Sequence, residues 1–278
     1  MAYNNSLIGD LDGFQNIGSI GGDLYIQSNS SLESTSALQG LQAMDGAVVI
    51  AWNSKLSDVS GLSNLATVGG RFDITGADAL TSLNSLSNLN SVGGDVIIKD
   101  NDQLTSLSGL ETLTLVGENL IIDNNSRLET LQHLSNLDAV HGVSIKSNSV
   151  LENLNGLDNL TAVNGSVTIQ YHESLSSIDA LGKIHYIGGD LSIDHNYILP
   201  NLVGLESLAR IDRSLNIQQN FELTTIDSLS NLEYVSSGFH IKNNSKLCDS
   251  EAQSLYDLVL SRDGVNSDIV VITNDSDC

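Results

Sequence analysis

The sequence predicts an α/β chain that leans strongly to β: a right-handed β-solenoid of about eleven 24-residue coils, with one parallel sheet and a capping helix at its C-terminal end. The first observation behind this is a period. Aligning on Asn-x-x-Leu places Asn5, Asn29, Asn53, Ala77, Asn101, Asn125, Asn148, His172, Asn196, Asn220 and Asn244 in one column, 24 residues apart except for the 23 between Asn125 and Asn148. A unit this short cannot bury its own apolar face, but stacked units bury one another's, so the period implies a solenoid. The second is a pair of local rhythms within each unit. In the fifteen residues from Leu120, Leu120 and Ile122 alternate as a strand does, and then Leu128, Leu131 and Leu134 follow at intervals of three.

Each element follows from that register. Strands are expected at 24–26, 48–50, 72–74, 96–98, 120–122, 143–145, 167–169, 191–193, 215–217 and 239–241, with the two large residues of each turned inward and neighbouring strands about 4.8 Å apart. The three-residue interval is the tight, 3₁₀-like turning of a coil that sends every third side chain to the axis. The Asn column is expected to point inward and to stack as a ladder that satisfies buried backbone groups. The Gly pairs 21–22, 69–70, 93–94 and 188–189 are expected to serve a positive φ or a close approach of coils. They lack the strand-Gly-helix context of a nucleotide loop.

At the C-terminal end, Asp249 and Ser250 as capping residues, the stripe Ala252, Leu255, Tyr256 and Val259, and a stop at Gly264 predict a helix. Beyond it Ile269, Val271 and Asn274 are expected to restore the coil register. Residues 1–248 are therefore the repeat solenoid, and residues 249–278 its cap within the same domain. Cys248 and Cys278 lie four residues after Asn244 and Asn274, in one column of adjacent coils. That spacing predicts a disulfide between them and an oxidising compartment. Residues 1–20 give only a partial coil, so the strand near Leu24 is expected to be an open edge where an oligomer partner or a neighbouring domain could sit. No leader is legible in the first residues, and targeting segments are expected to lie outside this sequence.

The formal charge is −23, from 34 acidic and 11 basic residues. Phosphate recognition needs Lys and Arg patches, so nucleic acid is not an expected partner, and neither is an anionic membrane surface. No run of about 18 apolar residues exists to insert in a bilayer.

The unit V-x-G-x-L-x-I-x-x-N-x-x-L-x-x-L-x-x-L resembles the receptor L-domain variant of the leucine-rich repeat, from about residue 24 to the end. Leu follows Asn by three residues, the L-domain spacing, and the closing helix, strand and final "NDSDC" are similar to bacterial-type secreted members. The resemblance implies a secreted or surface-displayed recognition or adhesion module without shared catalytic residues. With two cysteines, the chain departs from the disulfide-rich growth-factor receptor ectodomains, and that role does not carry over.

Candidate ligand-binding residues come from the aromatics, only 4% of the chain. Tyr171, His172, His195, Tyr197 and Phe221 all fall just after their strands in three consecutive coils and are expected to line one ridge. Val49, Ile97 and Ile121, outward on their strands, are expected to form an exposed patch with Trp52 nearby. His172 is expected to substitute for Asn in the ladder. No metal site or cofactor is expected, because no carboxylate or Cys joins His172 and His195 at fixed spacing. Asp73, Asp95, Asp100, Asp123 and Asp194 are scattered without a repeated pair, which argues against a polysaccharide-active enzyme. A structural or ice-binding solenoid is the alternative, since Ser and Thr recur after the first Leu of each unit, interrupted by Glu33, Glu129, Glu152 and Pro200. The expected function is recognition of a protein or glycan ligand at the cell surface or in the extracellular space.

Overall fold

The structure, a computed structural model, describes residues 2–265 and 270–274. They fall into two compact units, residues 1–140 and 141–278, and each is a parallel β-solenoid. In the first unit the long sheet runs β1 (Ala2–Tyr3), β2 (Leu24–Gln27), β3 (Val48–Ala51), β4 (Phe72–Thr75), β5 (Val96–Lys99) and β6 (Leu115–Asp123). Successive strands pair in parallel, with Leu24 opposite Val48, Val48 opposite Phe72, Phe72 opposite Val96 and Val96 opposite Leu120. In the second unit β7 (Ala139–Lys146), β8 (Val167–His172), β9 (Leu191–Asn196), β10 (Ser214–Gln218), β11 (Gly238–Lys242) and β12 (Val270–Thr273) repeat the arrangement. Equivalent residues therefore meet across coils, and a column in the sequence is a stripe in space.

The three-residue rhythm becomes a turn of 3₁₀ helix in many coils, as at Ser60–Leu62 and Gln132–Leu134. Its leucines, such as Leu128, Leu131, Leu134 and Leu137, are completely buried. A second, narrower ribbon was not expected from the sequence. Two-residue strands at Ala43–Met44, Thr67–Val68 and Ser91–Val92 pair in parallel, and the last pairs with the start of β6. Ala162–Val163, Tyr186–Ile187, Arg210–Ile211 and Tyr234–Val235 do the same in the second unit.

The Asn column is the ladder expected. Asn29, Asn53, Asn101, Asn125, Asn148, Asn196, Asn220 and Asn244 have no exposed surface. At each regular rung, the backbone N–H and Nδ2 of one Asn donate to Oδ1 of the next, as in Asn196 to Asn220 at 3.0 and 3.2 Å. Nδ2 also donates to a carbonyl of the preceding coil, as in Asn220 to Ile193 at 2.9 Å. Groups that a tightly wound coil strips from water are thereby paired. Ala77 offers no such acceptor to Asn53, and the rung is missing there.

None of the glycine pairs has a positive φ, and all but Gly21–Gly22, where a Cβ would meet nothing within 4 Å, act by close approach. A Cβ on Gly69, Gly93 or Gly188 would run into the carbonyl of Asp45, Gly69 or Asn164 in the coil before. Left-handed backbone is found elsewhere, at the residue immediately before the ladder position: Ser28, Trp52, Gly76, Asp100, Asn124, Ser147, Tyr171, His195, Gln219 and Asn243, with φ from 53° to 64°. One left-handed residue per coil turns the chain from the sheet so that the next side chain points to the axis.

Three expectations about the ends change. Ala2–Tyr3 pairs with β2, so the strand at Leu24 is not an edge. Helix α1 (Asp249–Ser261) starts with Cys248 at its N-cap, and its last turn closes at Asp263 in the left-handed region rather than on a glycine conformation at Gly264. Gly264 is instead small because a Cβ there would strike the Glu233 carbonyl. Asp249, expected to cap the helix, accepts hydrogen bonds from the Asn274 N–H at 2.6 Å and its Nδ2 at 3.0 Å. In β12, Val270 and Ile272 pair with Phe239 and Ile241, so the inward pair is shifted by one residue from Ile269 and Val271. Asn274 nevertheless takes its place in the ladder, accepting from Asn244 Nδ2 at 2.9 Å, which leaves one residue fewer between strand and rung than in the regular coils. The expected bridge partner Cys278, like Ile269, lies outside the described residues.

Candidate functional site

The ridge is built by two columns of the second unit. Tyr171 and His195 occupy the left-handed position at the ends of β8 and β9, with φ of 62° and 56°. Tyr197 and Phe221 stand one residue after the ladder positions Asn196 and Asn220. Tyr171 stacks on His195 with ring centroids 4.6 Å apart. His195 meets Tyr197 edge-on at 6.3 Å, and Tyr197 stacks on Phe221 at 5.9 Å. The four rings form a continuous series in which Tyr171, Tyr197 and Phe221 remain 46%, 37% and 42% exposed. Aromatic pairs in such geometry contribute about 0.5–1.5 kcal/mol beyond area burial.

These rings are held at some cost. A left-handed conformation costs an L-residue about 1–2 kcal/mol, least for Asn and Asp. Elsewhere that column is filled by Ser, Gly, Asp, Asn and Gln. Tyr171 and His195 are bulky exceptions, as is Trp52 in the first unit. Strain kept at an exposed aromatic is a pointer to function.

The ring face is bordered by carboxylates. Asp194 precedes His195 and lies between Gln170 and Gln218 in register on β8 and β10. Its Oδ1 is 2.8 Å from His195 Nδ1, but the two atoms are not aligned for a hydrogen bond. Exposed Glu173 stands one coil before Tyr197 in the same column. Farther along, Lys246 pairs with Glu222.

His172, expected near these rings, is fully buried and belongs to the ladder. Its Nδ1 donates to Asn196 Oδ1 at 3.0 Å, which fixes the tautomer, and its Nε2 has no partner. Burial lowers its pKa to about 4, with the Asn196 hydrogen bond opposing, so the ring is neutral at physiological pH. His172 and His195 thus face different environments, and among the described residues no three His, Cys, Asp or Glu side chains cluster as metal ligands would.

The expected patch in the first unit is only partly present. Val49 is completely buried, in a cluster with Ala47 and Ala51 against which Tyr25 packs. Small neighbours on one strand let the larger Tyr25 side chain close over it, so outward direction did not mean exposure. Ile97 and Ile121 pair in register on β5 and β6 and are half-buried. Trp52 is 57% exposed, and its indole lies over Gly76, where a Cβ would come within 2.6 Å of Cε3.

Four of the five scattered carboxylates have a local partner, and Asp194 is the exception. Asp95 Oδ1 accepts from the Asn119 N–H and Nδ2, Asp100 from Asn124 Nδ2, and Asp123 pairs with Lys99 at 2.8 Å. Asp73 is buried, which raises its pKa against the opposing Thr75 hydroxyl at 2.6 Å and the Arg71 charge.

Residues 159–260 match the receptor L domain family. The matched stretch contains the whole ridge together with Glu173 and Asp194. A receptor L domain is a ligand-binding, receptor-type module, non-catalytic and typically extracellular. No curated protein matches the chain. Among the described residues no helix is long and apolar enough to cross a membrane.

The left-handed column and the carboxylate border of the ridge were not read from the sequence. The first had a signal, a column of Ser, Asp, Asn and Gly before the ladder Asn. The second needed the register of β8 to β10.

Proposed function

We propose that this chain is a recognition or adhesion module, secreted or displayed at the cell surface, that binds a protein or glycan through the ridge of Tyr171, His195, Tyr197 and Phe221. The observation that carries this reading is the continuous series of four rings, three of them exposed and two on strained backbone, inside the stretch that matches the receptor L domain. Tyr with a polar surround is typical of hot spots. Trp52, Ile97 and Ile121 are read as a second contact region, on the first unit. We further read the repeat as one domain capped by residues 249–278 and stapled by Cys248 to Cys278, and the N-terminal strand Ala2–Tyr3 as a place for a partner or a neighbouring domain.

The test is a binding screen of the oxidised protein on glycan and extracellular-protein arrays beside a Tyr171→Asn/Tyr197→Ser/Phe221→Ser variant. Those replacements occur naturally in the same columns at Asn124, Ser245 and Ser149, so the coils should fold. A hit lost in the variant supports the ridge. A hit retained moves binding away from it, and no hit on either array counts against recognition.

A further inference from the structure

In three places along the solenoid the chain provides a carboxylate with its counter-charge: Asp123 has Lys99, Glu222 has Lys246, and Asp212 has Arg210 at 2.6 Å. At the ridge it does not. Neither Asp194 nor Glu173 has a Lys or Arg partner among the described residues, and no donor hydrogen-bonds to the Asp194 carboxylate. Asp194 is flanked in register by neutral Gln170 and Gln218, and the Gln170 amide donates to Ser192 at 3.0 Å instead. Two carboxylates without a Lys or Arg partner therefore border a series of rings, three of them exposed, on a chain of charge −23.

We propose that the ridge takes an arginine-bearing basic segment of a partner protein, with a guanidinium lying against the exposed Tyr171 ring and pairing with Asp194 through Oδ2, and a second basic side chain near Glu173. This deepens the reading above and rests on it. The negative face of an aromatic ring attracts a cation, and ring and carboxylate together form a better site than either alone. Arginine fits better than lysine because its planar group stacks on a ring while presenting paired donors to a carboxylate, and because it is more weakly hydrated. A neutral glycan would use the ring faces but gain little from Asp194 and Glu173, and a basic segment uses both.

The test is fluorescence anisotropy with a labelled peptide of alternating Gly and Arg, its Lys counterpart and its citrulline counterpart, which keeps the shape and removes the charge. The protein is compared with Tyr171→Asn, Asp194→Asn and Glu173→Gln variants, and with Asp257→Asn on the exposed side of α1 as a control for diffuse attraction. The Arg peptide should bind more tightly than the Lys peptide, and the citrulline peptide should not bind. Tyr171→Asn and Asp194→Asn should each weaken the Arg peptide about tenfold, Glu173→Gln should weaken it less, and Asp257→Asn should leave it unchanged. Added salt should weaken binding to the wild type more than to Asp194→Asn. Absence of Arg-peptide binding, equal binding of the citrulline peptide, or an equal effect of Asp257→Asn overturns the inference. A neutral ligand from the arrays that binds the ridge without loss in Asp194→Asn would overturn it too, while leaving the recognition reading in place.

Discussion

Replacing Asn220 by Ala removes the centre of one ladder rung. In the native protein Asn220 Oδ1 accepts from the Asn196 N–H at 3.0 Å and Nδ2 at 3.2 Å, and Asn220 Nδ2 donates to the Ile193 carbonyl and to Asn244 Oδ1. Asn196 Nδ2 keeps its second acceptor, Ile169, and Asn244 Oδ1 keeps the Asn220 N–H. The substitution therefore strands one buried N–H without an acceptor and takes a donor from the Ile193 carbonyl, all in a site with no access to water. Leaving such a group unpaired costs about 1–3 kcal/mol, so the expected loss is about 3 kcal/mol. Ala77 is the reciprocal case. Ala77→Asn should restore the missing rung and stabilise by about 1 kcal/mol, the net contribution of a typical hydrogen bond. Urea unfolding followed by circular dichroism measures both. A loss below about 1 kcal/mol in Asn220→Ala, or destabilisation by Ala77→Asn, would refute the view that the amide ladder is a source of stability and not a by-product of the winding.

Other outcomes follow from single sites. The unfolded chain binds a proton at His172 near pH 6.5, whereas the folded one does so only near 4. Its neutral form thus contributes stability that is complete above pH 6.5 and is lost as pH falls through 4, about 3 kcal/mol in all. His172→Asn should remove this dependence. A difference in unfolding free energy between the two proteins that stays constant from neutral to acid pH would contradict it. Gly76→Ala places a Cβ against the indole of Trp52 at a φ of +64°. It should destabilise by about 1–3 kcal/mol and shift the emission of this single tryptophan, and an unchanged spectrum would count against the packing described. Reduction should lower the melting temperature through loss of the Cys248 to Cys278 staple, and an unaltered transition would argue against that bridge.

The main strands, the ladder and the aromatic series were legible because each is a column, and a column that recurs every coil needs no knowledge of the third dimension. What the sequence hid had local causes. Two-residue strands such as Thr67–Val68 are too short to show alternation. The shift in β12 depends on how the chain returns from α1, and no repeat precedes it to set the register. Val49 pointed outward as read, yet its exposure depended on the sizes of Ala47, Ala51 and Tyr25, which only packing reveals. At the ridge the ring columns were visible, but the missing counter-charges are a property of the register across three strands. His172 was assigned correctly to the ladder, while its proximity in sequence to Tyr171 had suggested a shared surface.

The ladder also has a direction. Asn29 donates to Asn53 and Asn101 to Asn125, and in the second unit Asn196 donates to Asn220, Asn220 to Asn244 and Asn244 to Asn274, which ends on Asp249. Every link between asparagines runs from an earlier coil to a later one, and the closing link, from Asn274 to Asp249, runs back. A chain leaving the ribosome therefore cannot complete one of these rungs at the moment its coil is made, because the asparagine oxygen it needs has not yet been synthesised. Each of these rungs is finished by its successor with a lag of one coil, whereas the last, at Asn274, finds its acceptor in the helix residue Asp249, which is already made.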